Sequence, residues 1–225
     1  MPGLWLNEDG QSAAGSAIAH LLTSHPASAR ASGLADKPNL SLPDFLVTEA
    51  SRRSRSFSQT ITLAGQVIVV PDFLGNRSPL ADPNMRAIIS GLGFEQDLES
   101  LIALYVAGIS GLGYGLRQII EAQRAQGVQT NTIVISGGAG QSQLVHQLLA
   151  DASGVAIAEP GSPEPVLLGA AMLGAVSGGT FGAIQEAMNE MSSVDEILHP
   201  VSGKLAKRHN QRFKVFCDLQ KAARI

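Results

Sequence analysis

The clearest indication of the fold is NTIVISGGAGQSQLVHQLLADASGVAIAEP, which forms Asn131–Pro160. Its β-branched run, Thr132–Ile135, predicts a strand buried on both faces. Apolar residues at one-face helical spacing follow over Leu144–Ala152, and Gly154 suits the end of that helix. Val155–Ala158 predicts a second strand. Open α/β sheets bind ligands at the carboxyl ends of such strands, so the pattern indicates a ligand site at the intervening turn.

The turn itself, Gly137-Gly138-Ala139-Gly140, lets a ligand approach the main chain ahead of free helical N–H groups. It does not end in Gly-Lys-Ser/Thr, so it is not a Walker loop. The dinucleotide-binding pattern has three glycines and an acidic residue about 20 positions later. Gly138 and Gly140 match the first two glycines and Glu159 matches the acidic residue, but Gln143 stands where the third glycine would be. Three interpretations of the turn are therefore open. It forms a nucleotide site, it forms a Rossmann-type NAD-binding site, or it is a purely structural tight turn.

Composition narrows the class of protein. A chain of 225 residues can bury a sizeable core, and its formal charge of −3 argues against a nucleic-acid partner. Its one cysteine, Cys217, excludes internal disulfides and thiolate metal clusters, and the five scattered histidines predict no metal site. We find no apolar run of transmembrane length and no signal peptide, so we expect a cytoplasmic protein without a membrane partner.

A second polar segment follows the predicted strand Gln66–Val70. The loop Pro71–Pro79, PDFLGNRSP, places polar side chains between two prolines, and such loops often carry functional groups. Asp72 is a candidate base or metal ligand, Arg77 a candidate phosphate contact, and Asn76 lies between them as a further cleft residue. An ion pair between Asp72 and Arg77 is the equally open structural alternative.

The remaining segments predict mainly helices. Leu98–Gln126 is a long helical pattern, and its four closely spaced glycines indicate close helix–sheet packing. Ser12 is a suitable N-cap for the first helix, whereas Ala27–Asn39 reads as a loop. The segment from Pro165, PVLLGAAMLGAVSGG, is small and apolar all round, which predicts a helix buried on every side. Helices are also expected over residues 181–191 and 209–223.

Four segments of the sequence together resemble a known protein family. They are GLWLNEDGQSAAG (Gly3–Gly15), PDFLGNRSPLADP (Pro71–Pro83), SGGAGQSQLVHQLLADA (Ser136–Ala152) and PVLLGAAMLG (Pro165–Gly174). In this order and spacing they resemble the FGGY carbohydrate kinases, and the opening segment resembles the pentulose branch, especially D-ribulokinase-like proteins. The resemblance covers nearly all of the chain.

The resemblance implies an α/β fold, an actin-like ATPase or ribonuclease H-like domain, the second of two such domains in a sugar kinase. The family transfers the γ-phosphoryl group of ATP, with Mg2+, to a sugar hydroxyl, here that of D-ribulose to give the 5-phosphate. The family's adenosine-binding stretch matches Gly137, Gly138, Ala139, Gln141 and Ser142. Adenine and ribose, rather than phosphate, are therefore expected at the glycine turn.

The sequence also departs from the pattern of this family. In this family the catalytic aspartate, the phosphate turn and the sugar-binding domain all precede the GLWLNE-like strand. Residues 1–225 are thus expected to form the C-terminal, nucleotide-binding domain without its first strands, inactive alone and able to take sugar only with the N-terminal domain. A bare strand at Gly3–Leu6 would promote self-association. A non-catalytic, regulatory nucleotide-binding module and a Rossmann NAD-binding domain are the alternatives.

Overall fold

Helices surround two small sheets in the computed structural model, which describes residues 8–36, 38–136 and 142–224. The helices are α1 Ala14–Thr23, α2 Ser28–Ala35, α3 Leu42–Arg52, α4 Leu98–Ala125, α5 Gln143–Ser153, α6 Pro165–Ser177, α7 Ile184–Met191 and α8 Gly203–Ala222, with a 3-10 helix over Ser58–Ala64. The strands are β1 Ile68–Val70, β2 Ile88–Ser90, β3 Thr132–Val134, β4 Ala156–Pro160 and β5 Val194–Leu198.

Helix α4 is the centre of the fold. A capping box between Asp97 and Ser100 starts it, and α1, α5, β1 and the 3-10 helix pack around it. A Cβ atom at Gly111 would lie 2.3 Å from the Val69 carbonyl oxygen of β1, and one at Gly113 would lie 2.6 Å from the Ala152 Cβ of α5. The close packing that the sequence predicts for this helix is therefore confirmed.

The same helix is long and apolar enough, by length and composition, to cross a membrane, which the sequence analysis did not anticipate. However, 72% of its most apolar 18-residue window is buried inside the protein. Leu101, Val106 and Ala107 are at most 1% exposed. A helix that is buried against several other elements is typical of the core of a globular domain, so the apolar composition of α4 is explained by its place in the core.

The predicted strand–turn–helix–strand unit is present. Strand β3 runs parallel to β4, with Ile133 opposite Ile157, and β5 pairs with β4 in the antiparallel direction. Helix α5 ends at Gly154, whose φ of 76° is a left-handed conformation that glycine adopts without strain. Strand β3 is not buried on both faces as predicted, because Val134 is 60% exposed. Within the described residues β3 pairs only with β4 and lies at the edge of the described sheet.

Two further predictions near the start of the chain are wrong. Residues predicted as a loop contain helix α2, which buries Ala27, Ala31 and Ala35 at a spacing of four residues. Ser12 does not cap α1, because the N-cap position is Ala13 in a left-handed conformation (φ 55°) and its side chain cannot accept a hydrogen bond. The strand predicted at Gly3–Leu6 lies outside the described residues.

Helix α6 is exposed rather than buried. Only Met172 of its residues is buried, whereas Val166, Leu167 and Leu173 are 77%, 65% and 61% exposed. The helix packs mainly against α7, and the antiparallel strand β5 that follows α7 also leaves Val194 and Ile197 about half exposed. The apolar sequence of α6 therefore presents an uncovered apolar surface, which is typical of protein contact sites.

This surface leads us to expect self-association of the 225-residue chain. Replacing Leu167 and Leu173 together by lysine should weaken self-association at least about 10-fold, since burying each leucine contributes about 1.5 kcal/mol or more. Sedimentation analysis over a concentration series measures the effect. Leu34→Lys, on the exposed side of α2, is the matched control and should change nothing. A wild-type chain that stays monomeric throughout the series would contradict the expectation.

Candidate functional site

A groove of about 350 Å³ lies beside the N-terminal end of α5, between α1, α3 and α4. Its walls are mainly apolar: Ala14, Gly15, Ile18, Ser41, Pro43, Asp44, Val47, Tyr105, Ile109, Leu112, Ser142, Val145 and Leu149. Ser142 is the N-cap of α5 and its hydroxyl accepts a hydrogen bond from the Val145 N–H at 3.4 Å. Of the residues predicted to bind nucleotide, Gly137, Gly138, Ala139 and Gln141 lie outside the described residues, so only Ser142 is placed, and it lines the groove.

Gly15 forms part of the opposite wall. It lies in the first turn of α1, and a Cβ atom added there would have no neighbour within 4 Å. A side chain at this position would therefore project into open space instead of into protein. The sequence analysis did not single out Gly15 as a site residue, although it ends the GLWLNEDGQSAAG segment on which the resemblance rests.

The groove lacks the positive charge that is typical of a phosphate-binding site, as far as its described residues show. Of the described residues that line it, Asp44 is the only acidic residue, and there is no lysine or arginine. Asp44 accepts a hydrogen bond at 2.5 Å from the hydroxyl of Ser41, which caps α3. An apolar cleft with a few hydroxyl and carboxylate groups suits a flat, uncharged ligand with polar edges, such as a nucleoside.

Two acidic residues also contact the first turn of α5. His146, which is fully buried, forms a hydrogen bond through Nδ1 with the carboxylate of Glu159 in β4. The Gln143 Nε2 donates to Glu196 Oε2 in β5 at 2.6 Å. The first turn of α5 is therefore hydrogen-bonded to both strands. Sequence reasoning missed this arrangement, because β5 was not predicted and His146 was given no role.

The loop Pro71–Pro79 contacts the C-terminal helix α8. Asp72 accepts hydrogen bonds from Gln220 of α8 at 2.8 Å and from Asn76 at 3.2 Å. Burial raises the pKa of the Asp72 carboxyl above its ordinary value, and these two hydrogen bonds partly oppose that rise. Asp72 and Asn76 therefore fasten the loop to the C-terminal helix.

The predicted ion pair between Asp72 and Arg77 is wrong. Arg77 is exposed and pairs instead with Glu8 at 2.6 Å, and the Gly10 N–H donates to Ser78 at 3.4 Å. The loop thus packs on the segment that leads into α1, and neither Asp72, Asn76 nor Arg77 lines the groove. Within the described ranges no group of three or more histidine, cysteine, aspartate or glutamate residues is placed to hold a metal ion.

Comparison with known proteins identifies the class. A profile of the C-terminal domain of the FGGY family of carbohydrate kinases matches residues 1–178. The match covers most of the chain and includes every element that lines the groove. The chain belongs to the FGGY family of carbohydrate kinases, and the family prediction made from the four sequence segments is confirmed.

Curated relatives agree with this assignment. The chain is 36% identical over 219 residues to an FGGY carbohydrate kinase domain-containing protein of Xenopus laevis, covering 97% of this chain and 40% of the relative. The human protein of the same description is also 36% identical, over 97% of this chain and 39% of its own length. A D-ribulokinase of Saccharomyces cerevisiae is 36% identical over 82% of this chain and 26% of the relative. The chain therefore spans about two fifths of the relatives' length or less.

Solved structures confirm the fold. Plasmodium falciparum glycerol kinase with ADP superimposes with a TM-score of 0.68 at 21% identity, over 94% of this chain and 37% of that one. A xylulose kinase from Rhodospirillum rubrum gives a TM-score of 0.66 at 18% identity, over 92% and 38% of the two chains. The predicted fold class, an actin-like, ribonuclease H-like α/β domain, is therefore correct.

Proposed function

We propose that the chain is the nucleotide-binding part of a carbohydrate kinase that transfers the γ-phosphoryl group of ATP to a hydroxyl of D-ribulose, giving the 5-phosphate. The observation that supports this most strongly is the apolar groove beside Ser142, in a domain of the FGGY family. The family resemblance assigns adenosine to the stretch that ends at Ser142, and a structural neighbour is a glycerol kinase with ADP.

The groove favours the adenosine end of the nucleotide. A purine is flat and apolar with polar edges, and it would contact Tyr105, Ile109 and Leu149 as apolar walls. The Ser142 hydroxyl accepts a hydrogen bond from the Val145 N–H, so its own O–H is still able to donate to the ribose or to a base edge. Since the described residues of the wall include no lysine or arginine, the phosphates would point out of the groove, toward the part of the kinase that binds the sugar.

D-Ribulose is the acceptor that the sequence supports. The opening segment Gly3–Gly15 resembles the pentulose branch, and one curated relative at 36% identity is a D-ribulokinase. The other curated relatives include proteins named only by the family and glycerol kinases, the latter at 28% identity over 63–71% of this chain. Because the chain spans less than half of these relatives, the acceptor is proposed for the whole kinase.

Phosphoryl transfer depends on positioning and on charge stabilisation of the transferred group. The proposed contribution of this chain is to bind adenosine, exclude water from the base and hold the phosphates in one direction. The nucleotide, with Mg2+, supplies the phosphoryl group when bound. Asp72 is the carboxylate that the sequence suggested as base, but its oxygens accept hydrogen bonds from Gln220 and Asn76. The base is therefore proposed to lie in another part of the kinase.

A nucleotide-binding module without catalysis is not favoured, because the chain belongs to a family of carbohydrate kinases. The Rossmann alternative is less compatible with the structure. Strand β5 is antiparallel to β4, whereas a dinucleotide-binding sheet is mostly parallel. Glu159, which would have to bind a ribose hydroxyl, forms a hydrogen bond with His146. Calorimetric titration with ADP and then with NAD tests the proposal: we expect ADP to bind and NAD to compete weakly.

We expect the purified 225-residue chain to show no ATP-dependent phosphorylation of D-ribulose, ribitol or L-ribulose above background. The reason is that Asp72, the carboxylate that the sequence suggested as base, accepts hydrogen bonds from Gln220 and Asn76 and does not line the groove. A coupled assay of ADP release measures this, with Asp72→Asn as the comparison. Turnover by the wild-type chain that is lost in Asp72→Asn would show instead that Asp72 is the base.

A further inference from the structure

The acidic residues beneath the first turn of α5 have no role in the proposed function. Glu159 and Glu196 are direct cross-strand partners in β4 and β5. In this geometry the Cβ atoms are about 5 Å apart, and like charges placed directly opposite each other are destabilising. The surroundings must offset the repulsion between the two carboxylates, so the groups that contact each carboxylate matter.

Both carboxylates contact the first turn of α5. Gln143 Nε2 donates to Glu196 Oε2 at 2.6 Å, and His146 Nδ1 is hydrogen-bonded to the carboxylate of Glu159. Glu159 is partly buried and His146 is fully buried, so this second contact is held by packing. The positive end of the α5 dipole stabilises negative charge at this position. The carboxylates are therefore fixed next to the helix N-terminus.

This arrangement changes what the N-terminus of α5 can bind. A free helix N-terminus attracts phosphate through its unpaired N–H groups and its dipole. Here the carboxylates of Glu196 and Glu159 contact the side chains of Gln143 and His146 in the first turn of α5, and Asp44 adds a third acidic group on the groove wall. We propose that Glu159 and Glu196 exclude anionic groups from this end of the groove and so determine that the nucleoside, not the phosphates, of the nucleotide binds beside Ser142.

The inference rests on the proposed nucleotide site and adds to it two residues that set the orientation of the nucleotide. They are positioning residues, because their carboxylates contact Gln143 and His146. Neither lines the groove. Their effect is electrostatic and should weaken as salt concentration rises. A role limited to holding α5 in place would not depend on ligand charge, and this difference separates the two explanations.

The test compares a neutral and an anionic probe. Adenosine and pyrophosphate are titrated by calorimetry into the wild-type chain, Glu159→Gln, Glu196→Gln and the double variant, at low and at high salt. Glutamine keeps the shape of the side chain and removes its charge. Glu190→Gln, an exposed acidic residue of α7 with no hydrogen bond to α5, is the matched control.

We expect each single variant to bind pyrophosphate about 3-fold more tightly and the double variant about 10-fold more tightly, from the usual strength of a charge near a helix end. Adenosine affinity should change less than about 2-fold, and high salt should remove most of the gain in pyrophosphate affinity. Glu196 is exposed, so Glu196→Gln retains the fold if Glu159→Gln does not.

Equal pyrophosphate affinity in the wild-type chain and in the charge-removed variants, with adenosine still bound, would overturn the inference and leave the proposed function intact. A parallel loss of adenosine and pyrophosphate affinity would also overturn it, because that outcome indicates a purely structural role. A wild-type chain that binds no adenosine would overturn the proposed function, and the orientation inferred from it.

Discussion

Gly15→Leu should reduce ADP affinity by at least about 100-fold, which corresponds to about 2.7 kcal/mol. Gly15 lines the groove, and a side chain there would extend into open space. A leucine would occupy the volume that the base needs while forcing no collision within the protein. The isothermal titration of ADP into the variant measures the loss, and circular dichroism verifies that the fold is kept.

Gly33→Leu is the matched control for this experiment. Gly33 is also an exposed helical glycine in a short N-terminal helix with nothing within 4 Å of an added Cβ, but it lies on α2 and does not line the groove. We expect it to bind ADP like the wild type. If both variants bind ADP as the wild type does, the base does not lie in this groove.

Gly111→Ala should lower the free energy of unfolding by about 3 kcal/mol or more, the upper part of the range for overpacked cores. The added Cβ atom would lie 2.3 Å from the Val69 carbonyl oxygen, and that oxygen belongs to the backbone of β1. Since backbone cannot rotate away as a side chain can, α4 and β1 must separate. Urea denaturation followed by circular dichroism measures the change.

Gly33→Ala serves as the comparison for this stability measurement. Its Cβ meets no neighbour, so the exchange should be neutral or should stabilise α2 by up to about 1 kcal/mol, the difference in helix propensity. Similar unfolding free energies for Gly111→Ala and the wild type would show that α4 does not pack against β1 as closely as described here.

Local sequence signals predicted the central unit of the fold correctly. The β-branched run before the glycine turn, the one-face apolar spacing of α5 and Gly154 each depend on residues close in sequence. The glycines of α4 were also interpreted correctly, because a glycine-rich helix needs a close neighbour whatever that neighbour is. The neighbour itself, β1, required the tertiary structure.

The predictions that failed depend on contacts between distant segments. An apolar sequence predicts a buried helix only if something covers it, and α6 leaves Leu167 and Leu173 exposed. Helix α2 was missed because small and polar residues masked the buried spacing of Ala31 and Ala35. The partner of Arg77 is Glu8, 69 positions away, which no local pattern could indicate.

The candidate site was predictable only in part. The resemblance placed Ser142 in the nucleotide site, and the structure places it on the groove wall. Gly15 and Asp44 reach the same groove from helices that the sequence does not connect to the glycine turn. The pairing of Glu159 with Glu196 depends on the register of β5, a strand that the sequence did not reveal.

Amide hydrogen exchange with saturating ADP shows whether adenosine binds between α1, α3 and the N-terminus of α5. We expect slower exchange in residues 11–18, 41–48 and 142–149, each of which contains residues that line the groove, and the same pattern with adenosine alone. Protection confined to other segments, such as the loop Pro71–Pro83, or no protection at saturating ADP would contradict it.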